Sequence, residues 1–175
     1  VRLRFESRGE AGAVFHVYDR RHLEGIPRRY TVEAGKQLSG EWLIDGGYDL
    51  WLLGPNGFHR HFAGAAATSA LDPEISLAYQ HGDLEITLHN RGLEACQFQL
   101  SANAYFADGP IAIRVPAGAT RRHRWSLRRS ARWYDLTARV LGLPSFLRRF
   151  AGRVENGRDG LSDPALGGRA RGEQT

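Results

Sequence analysis

Only one cysteine and one lysine occur in the 175 residues. With Cys96 alone, no internal disulfide can form and no multi-cysteine metal site can be assembled. Its setting, "ACQFQL", marks it as a small buried hydrophobe rather than a nucleophile. Long apolar runs are also missing: nothing approaches the roughly 18 to 20 residues of a membrane-spanning helix, and "VRLRFESRGE" has no apolar signal-peptide centre. So are the common catalytic signatures, G-x-S-x-G, H-E-x-x-H, the P-loop and G-x-G-x-x-G. Asp19 in "VYDRRHLE" has no base beside it. His59 and His61 would share one strand face, but no third metal ligand stands near them. Neither catalysis nor a cofactor is expected of this stretch.

What is present is arginine. Of 24 basic residues all but Lys36 are arginine, which is read as the mark of a GC-rich coding sequence, and the formal charge is +5. The distribution is uneven: residues 121–153 hold ten arginines against one acid, Asp135, a net of +9, and the remainder carries −4. Such asymmetry points to a surface that meets phosphates or an anionic layer. The candidates are Arg121, Arg122, Arg124, Arg128, Arg129 and Arg132, with Trp133 beside them. His22 and His123 sit in similar stretches and read as exposed members of the basic surface. The plain alternative is arginine solvated around loops. Nucleic acid is not an expected partner, because the aromatic interleaving of a binding groove is missing.

The chain is written twice. At an offset of 83 positions, Arg8-Gly9 falls on Arg91-Gly92, Phe15 on Phe98, Val32 on Val115, Ala34-Gly35 on Ala117-Gly118 and Trp42 on Trp125. After short insertions, Tyr48-Asp49-Leu50 falls on Tyr134-Asp135-Leu136, and Phe58, Arg60 and Phe62-Ala63-Gly64 fall on Phe146, Arg148 and Phe150-Ala151-Gly152. One module has been duplicated.

Each copy consists of short alternating segments separated by turn residues. In the first, strands are expected near 2–7, 13–19, 29–33, 37–44, 48–53 and 58–63. This spacing predicts an all-β chain of two tandem small sandwiches of immunoglobulin or fibronectin type, over residues 1–70 and 71–155, followed by a disordered tail at 156–175. The second copy opens with an extra strand, "PEISLAYQHGD". Its counterpart would precede residue 1, so the first copy is expected to lack its opening strand, and an apolar patch there would mark an attachment surface.

The turn Gly54-Pro55-Asn56-Gly57 sets a hairpin register. Read as a tight four-residue turn, it places Leu53 opposite Phe58, Trp51 opposite Arg60 and Asp49 opposite Phe62. Asp49 and Arg60 would then form a cross-strand clasp, repeated by Asp135 and Arg148.

"VFHVYDRRHLEGIPRRYTVEAGKQLSGEW" followed by "YDLWLLGPNGFHRHFAG" resembles the C-terminal region of bacterial phosphocholine-type phospholipases C, hemolytic and non-hemolytic. The resemblance covers essentially the whole chain, ending with "RRFAGRVENGRDGLSDPALG". It implies a secreted parent, exported folded, whose N-terminal phosphoesterase domain releases phosphocholine from phosphatidylcholine and sometimes sphingomyelin. No catalytic residue of that domain lies here. The implied role is accessory: packing on the esterase domain and helping it dock on phospholipid surfaces. A carbohydrate- or cell-surface-binding module is the alternative, weakened because no two or three aromatics line one expected sheet face.

Overall fold

The computed structural model describes residues 1–65, 70–107, 109–157 and 160–164. Among the described residues thirteen strands make up the first and second repeats: β1 (Arg2–Glu6), β2 (Ala13–Asp19), β3 (Arg28–Val32), β4 (Gln37–Glu41), β5 (Tyr48–Leu53) and β6 (His59–Gly64), then β7 (Pro73–Gln80), β8 (Asp83–Asn90), β9 (Cys96–Ala104), β10 (Ile111–Val115), β11 (Thr120–Trp125), β12 (Trp133–Val140) and β13 (Leu143–Arg153). All pairings are antiparallel, and no helix occurs among the described residues.

The ladders repeat at the spacing of the sequence repeat. Leu3 faces Gly40 as Ile86 faces His123. Phe15 faces Tyr30 as Phe98 faces Ile113. Val17 faces Leu52 as Leu100 faces Ala138, and Leu50 faces Phe62 as Leu136 faces Phe150. β7 belongs to the second repeat only, where it covers the outer edge of β8.

The repeats are not separate sheets. One eight-stranded sheet runs β10-β9-β12-β13-β6-β5-β2-β3 through both, with smaller sheets β11-β8-β7 and β1-β4. The join is β6 on β13, each of which would otherwise present an unpaired strand edge. In this ladder His61 faces Arg149, Ala63 faces Leu147 and His59 faces Ala151. His61 and Arg149 occupy the same position of the repeat, so the halves meet about a local two-fold axis, as in an isologous dimer.

Two cores persist on either side of this seam. The first contains Phe5, Phe15, Val17, Val32, Trp42, Leu50 and Leu52. The second joins Ile75, Leu84, Ile86 and Leu88 of the small sheet to Phe98, Leu100, Leu136, Phe146 and Phe150 of the large one. Each large side chain buried this way contributes roughly 1.5–3 kcal/mol. Phe62 packs against both clusters.

Two expectations need correcting. The β5–β6 register lies one residue from the expected one: Leu53 faces His59, Trp51 faces His61 and Leu52 faces Arg60. The turn is made by Asn56 and Gly57, at φ 54° and 73°, and closes with Phe58 N–H donating to Pro55 O at 3.0 Å. Pro55 has no N–H to return, and Gly54 N–H donates to Phe58 O at 2.9 Å instead, which adds a residue to the loop. One residue of slip moves every β6 side chain to the opposite face. The tail also differs in part. Trp133 Nε1 donates to Leu161 O at 3.1 Å and Tyr105 Oη to Asp163 at 2.7 Å, which seats 160–164 on the second repeat. Residues 158–159 and 165–175 of the expected disordered segment lie outside the described residues.

Candidate functional site: an arginine-rich cleft and the seam between repeats

The basic surface is built around one buried acid. Asp83, at the start of β8, accepts from Arg124 Nη2 and Nε at 2.7 and 3.0 Å through one oxygen, and from the Leu127 N–H at 2.9 Å through the other. The Leu127 N–H, with help from Arg124 and Ser126, holds the Asp83 carboxyl below its ordinary range against the opposing effect of burial. This anchors the loop from β11 to β12. The loop then closes on itself: Ser130 Oγ donates to Leu127 O, and Trp133 N–H to Ser130 O at 2.9 Å. Ala131 and Arg132 adopt φ of 50° and 71°, a conformation non-glycine residues hold only when the surroundings fix it.

Arg124, Arg128 and Arg132 meet Arg153 around an open cleft of about 740 Å³, lined also by His81, Asn156 and Leu161. Arg128 also borders a hollow of about 630 Å³ with Arg129, Phe106, Ile111 and Trp125. Two of the four cleft arginines are partly neutralised, Arg124 by Asp83 and Arg153 by Glu155 at 2.8 Å. Arg128 and Arg132 meet no carboxylate among the described residues. Arg121 and Arg122 stand exposed on β11, Arg122 at 3.9 Å from Glu85.

Trp133 is placed elsewhere: its ring lies against Gly57 of the first repeat and tilts over Tyr105 at 6.4 Å. It is a half-buried contact between the repeats, tied through Leu161 O to the rim of the cleft. His123 is half-buried against Trp125, and burial lowers its pKa, so it adds no charge to the basic surface at neutral pH. Arg153, Asp83 and His81 were not singled out in the sequence. For Asp83 the available signal was its place in the turn "QHGD"; for Arg153, membership of the arginine-rich span.

The four residues of the expected clasp separate into two sets. Asp49 and Asp135 lie on the outer face of the large sheet: Asp49 pairs with His61 at 2.6 Å and Arg20 at 3.4 Å, Asp135 with Arg149 at 2.6 Å. Arg60 and Arg148 point the other way, into the seam, because of the register change. Each is buried, 8% and 4% exposed. Arg60 donates to His59 O, Ala151 O, Tyr79 Oη and Tyr134 Oη, at 2.8–3.1 Å. Arg148 donates to Leu147 O, Ala63 O and Tyr48 Oη, and adds the Glu74 carboxylate at 2.8 and 2.9 Å. Each guanidinium also lies over the phenylalanine two residues before it in the chain, Arg60 at 4.0 Å from Phe58 and Arg148 at 4.5 Å from Phe146.

Burial opposes ionisation of Glu74, but its hydrogen bonds and charge attraction with Arg148 bring its pKa below the ordinary value. Burial, with the nearby charges of Arg149 and Arg60, lowers His59 to about 4. Burial likewise lowers His61 despite its bond to Asp49. These histidines are neutral spacers between arginines. Among the described residues no cluster of three metal-ligating side chains occurs. Cys96 is buried in the second core, and burial raises its thiol pKa.

The comparisons with known proteins fit this architecture. The family described as "Bacterial phospholipase C, C-terminal domain" matches residues 1–65 and 69–153, with the break falling where the repeats divide. The chain is 42% identical over 174 residues to a non-hemolytic phospholipase C of Pseudomonas aeruginosa, covering 94% of this chain and 25% of that protein. It is 40% identical to a non-hemolytic phospholipase C of Burkholderia pseudomallei, covering 94% and 24%, and 35% identical to a hemolytic phospholipase C of P. aeruginosa, covering 90% and 24%. The chain thus spans about a quarter of the length of these relatives. It belongs to the bacterial phospholipase C C-terminal domain family.

Proposed function

We propose that this chain is the non-catalytic accessory region of a secreted phospholipase C. It forms two tandem β-sandwich modules that stabilise the parent's phosphoesterase domain and help it settle on phospholipid surfaces. The chemistry, release of phosphocholine from phosphatidylcholine, belongs to that other domain. The observation that carries the docking role is the convergence of Arg124, Arg128, Arg132 and Arg153 on one open cleft of the second repeat. A basic side chain near an anionic bilayer contributes about 1 kcal/mol, so two arginines that meet no carboxylate among the described residues, with two partly neutralised ones, give weak, salt-sensitive adhesion. That strength suits an auxiliary contact for an enzyme that must move between lipids. The carbohydrate reading loses support, because Trp42 and Trp125 are buried and Trp51 is covered by Arg20 at 4.4 Å.

Sedimentation with phosphatidylglycerol vesicles tests the docking role. Binding is expected at low ionic strength, to fall steeply at high salt, and to be absent from pure phosphatidylcholine vesicles. The double variant Arg128→Gln/Arg132→Gln is expected to weaken it about tenfold or more. No binding at any salt concentration would leave the chain as a stabilising region alone.

A further inference from the structure

The second repeat shows what the first lacks. In the second, β7 pairs along β8 from Pro73 opposite Asn90 to Gln80 opposite Asp83, and Ile75 enters the core beneath it. In the first, β1 takes the place of β8 and pairs with β4 alone, which leaves one edge open. Between that edge and β7 lies a groove of about 560 Å³. Its floor is Phe15, Leu52, Phe58 and Phe62, and its walls include Leu3 and Phe5 of β1 and Leu77 of β7.

Arg60 borders the same groove. Its two-fold mate Arg148 is neutralised by Glu74, which β7 carries. Among the described residues, the hydrogen bonds of Arg60 end on two carbonyls and two phenols and on no carboxylate. The first repeat thus lacks a strand edge, an apolar filling and an acid at one place, and a strand like β7 supplies all three.

We propose that this groove is a strand-receiving slot. Its occupant is the extended segment of the same polypeptide that leads into Val1 in the full-length protein. The Val1 nitrogen bonds Trp42 O at 2.8 Å, so the preceding chain emerges at the end of the slot. A two-residue turn like His81-Gly82, with φ of 52° and 83°, returns it antiparallel to β1. By the repeat register the occupant carries apolar residues opposite Phe5 and Leu3 and a carboxylate opposite Glu6, the last neutralising Arg60. The small sheet of the first repeat then has three strands, as in the second. The choice of occupant rests on the family reading, since the relatives are about four times longer and the matched region is C-terminal in them. The slot does not.

The test places a copy of residues 72–83 directly ahead of Val1. The extended protein is expected to melt about 5 °C or more higher. Exchange of the β1 amides that face away from β4 should slow by about tenfold or more. Glu74→Gln within the added copy should forfeit part of the gain, and serine at its Ile75 and Leu77 positions all of it. Unchanged melting and exchange would overturn the proposal. So would a dimer of the original chain, formed through β1, that persists when the copy is added. Vesicle binding is measured separately on both proteins, so loss of the docking role leaves this result standing.

Discussion

Arg60 and Arg148 each donate from Nη1 to the carbonyl of the same repeat alanine in the opposite half, Arg60 to Ala151 and Arg148 to Ala63, both at 2.8 Å. Each also reaches the tyrosine of the opposite repeat's Tyr-Asp-Leu strand, Tyr134 of β12 at 3.1 Å and Tyr48 of β5 at 2.7 Å. A duplicated sequence has therefore folded as a covalently linked pseudo-dimer, with two buried cations riveting its interface. The carbonyl and phenol oxygens carry partial negative charge toward each guanidinium, which limits the cost of burying it.

Removing the two rivets should not cost the same. Arg148→Met strands the Glu74 carboxylate and is expected to destabilise by about 3 kcal/mol, the lower end for a broken buried pair, because Glu74 remains partly exposed. Arg60→Met leaves only neutral partners and should cost about 1–2 kcal/mol. Glu74→Gln combined with Arg148→Met should recover part of the larger loss. Urea denaturation of the four proteins checks the order.

Acid should weaken the fold above the range in which the half-buried Glu74 carboxylate of the folded protein titrates. His59 is neutral in the folded protein down to about pH 4, against an ordinary 6.5, so over that interval the unfolded chain binds the extra proton. Stability is full above pH 6.5 and falls as pH drops toward 4. His59→Gln is expected to reduce the slope over that interval, the remainder coming from His61 and His123, while leaving the fall caused by Glu74 at lower pH. Urea midpoints measured from pH 7.5 to 3.5 would show it, and identical slopes would contradict the assignment.

Much of this fold was legible. In the first repeat, alternation and turn residues place β2 and β5 at their observed bounds and β1, β3 and β6 within one residue, because half-buried strands must alternate, while β4 ends three residues earlier than expected. The offset of 83 likewise gives the repeat of pairing, since Phe15 and Phe98 fill equivalent positions in the two cores. The β5–β6 register was not legible, because it turns on Pro55 lacking an N–H and so on a single unreturned hydrogen bond. Nor was the seam: nothing in the alternation of β6 or β13 says which strand will pair with its free edge. The arginine-rich span was visible, but its division into exposed cleft residues and the buried Arg148 depends on which face each strand presents.

Asp83 is expected to control the cleft without lining it with useful charge. Asp83→Ala removes the acceptor for Arg124, Ser126 and the Leu127 N–H together. A cost of about 2–3 kcal/mol is expected, typical of charge-assisted bonds to a buried group. The freed loop should expose Arg128 and Arg132 to protease. Limited trypsin digestion checks this, with new cleavage at residues 128–132 expected in the variant and not in the parent.

The halves should differ in their ability to fold alone. Among the described residues, the second repeat buries seventeen hydrophobic side chains in one cluster and the first only seven. Separation at the link between β6 and β7 leaves each half with an open edge and one arginine deprived of its partner carbonyl, Ala151 or Ala63. The second half keeps the Arg148–Glu74 pair and a three-stranded small sheet, while the first keeps a two-stranded sheet beside the open groove. A two-stranded unit is marginal without further packing. Residues 70–164 alone should therefore unfold cooperatively on heating, and residues 1–65 alone should show no cooperative transition. Mixing the two should restore one, reported by the environment of Trp42 and Trp51. Cooperative unfolding of 1–65 by itself would mean that its core needs neither the seam nor a strand in the slot, and would count against both.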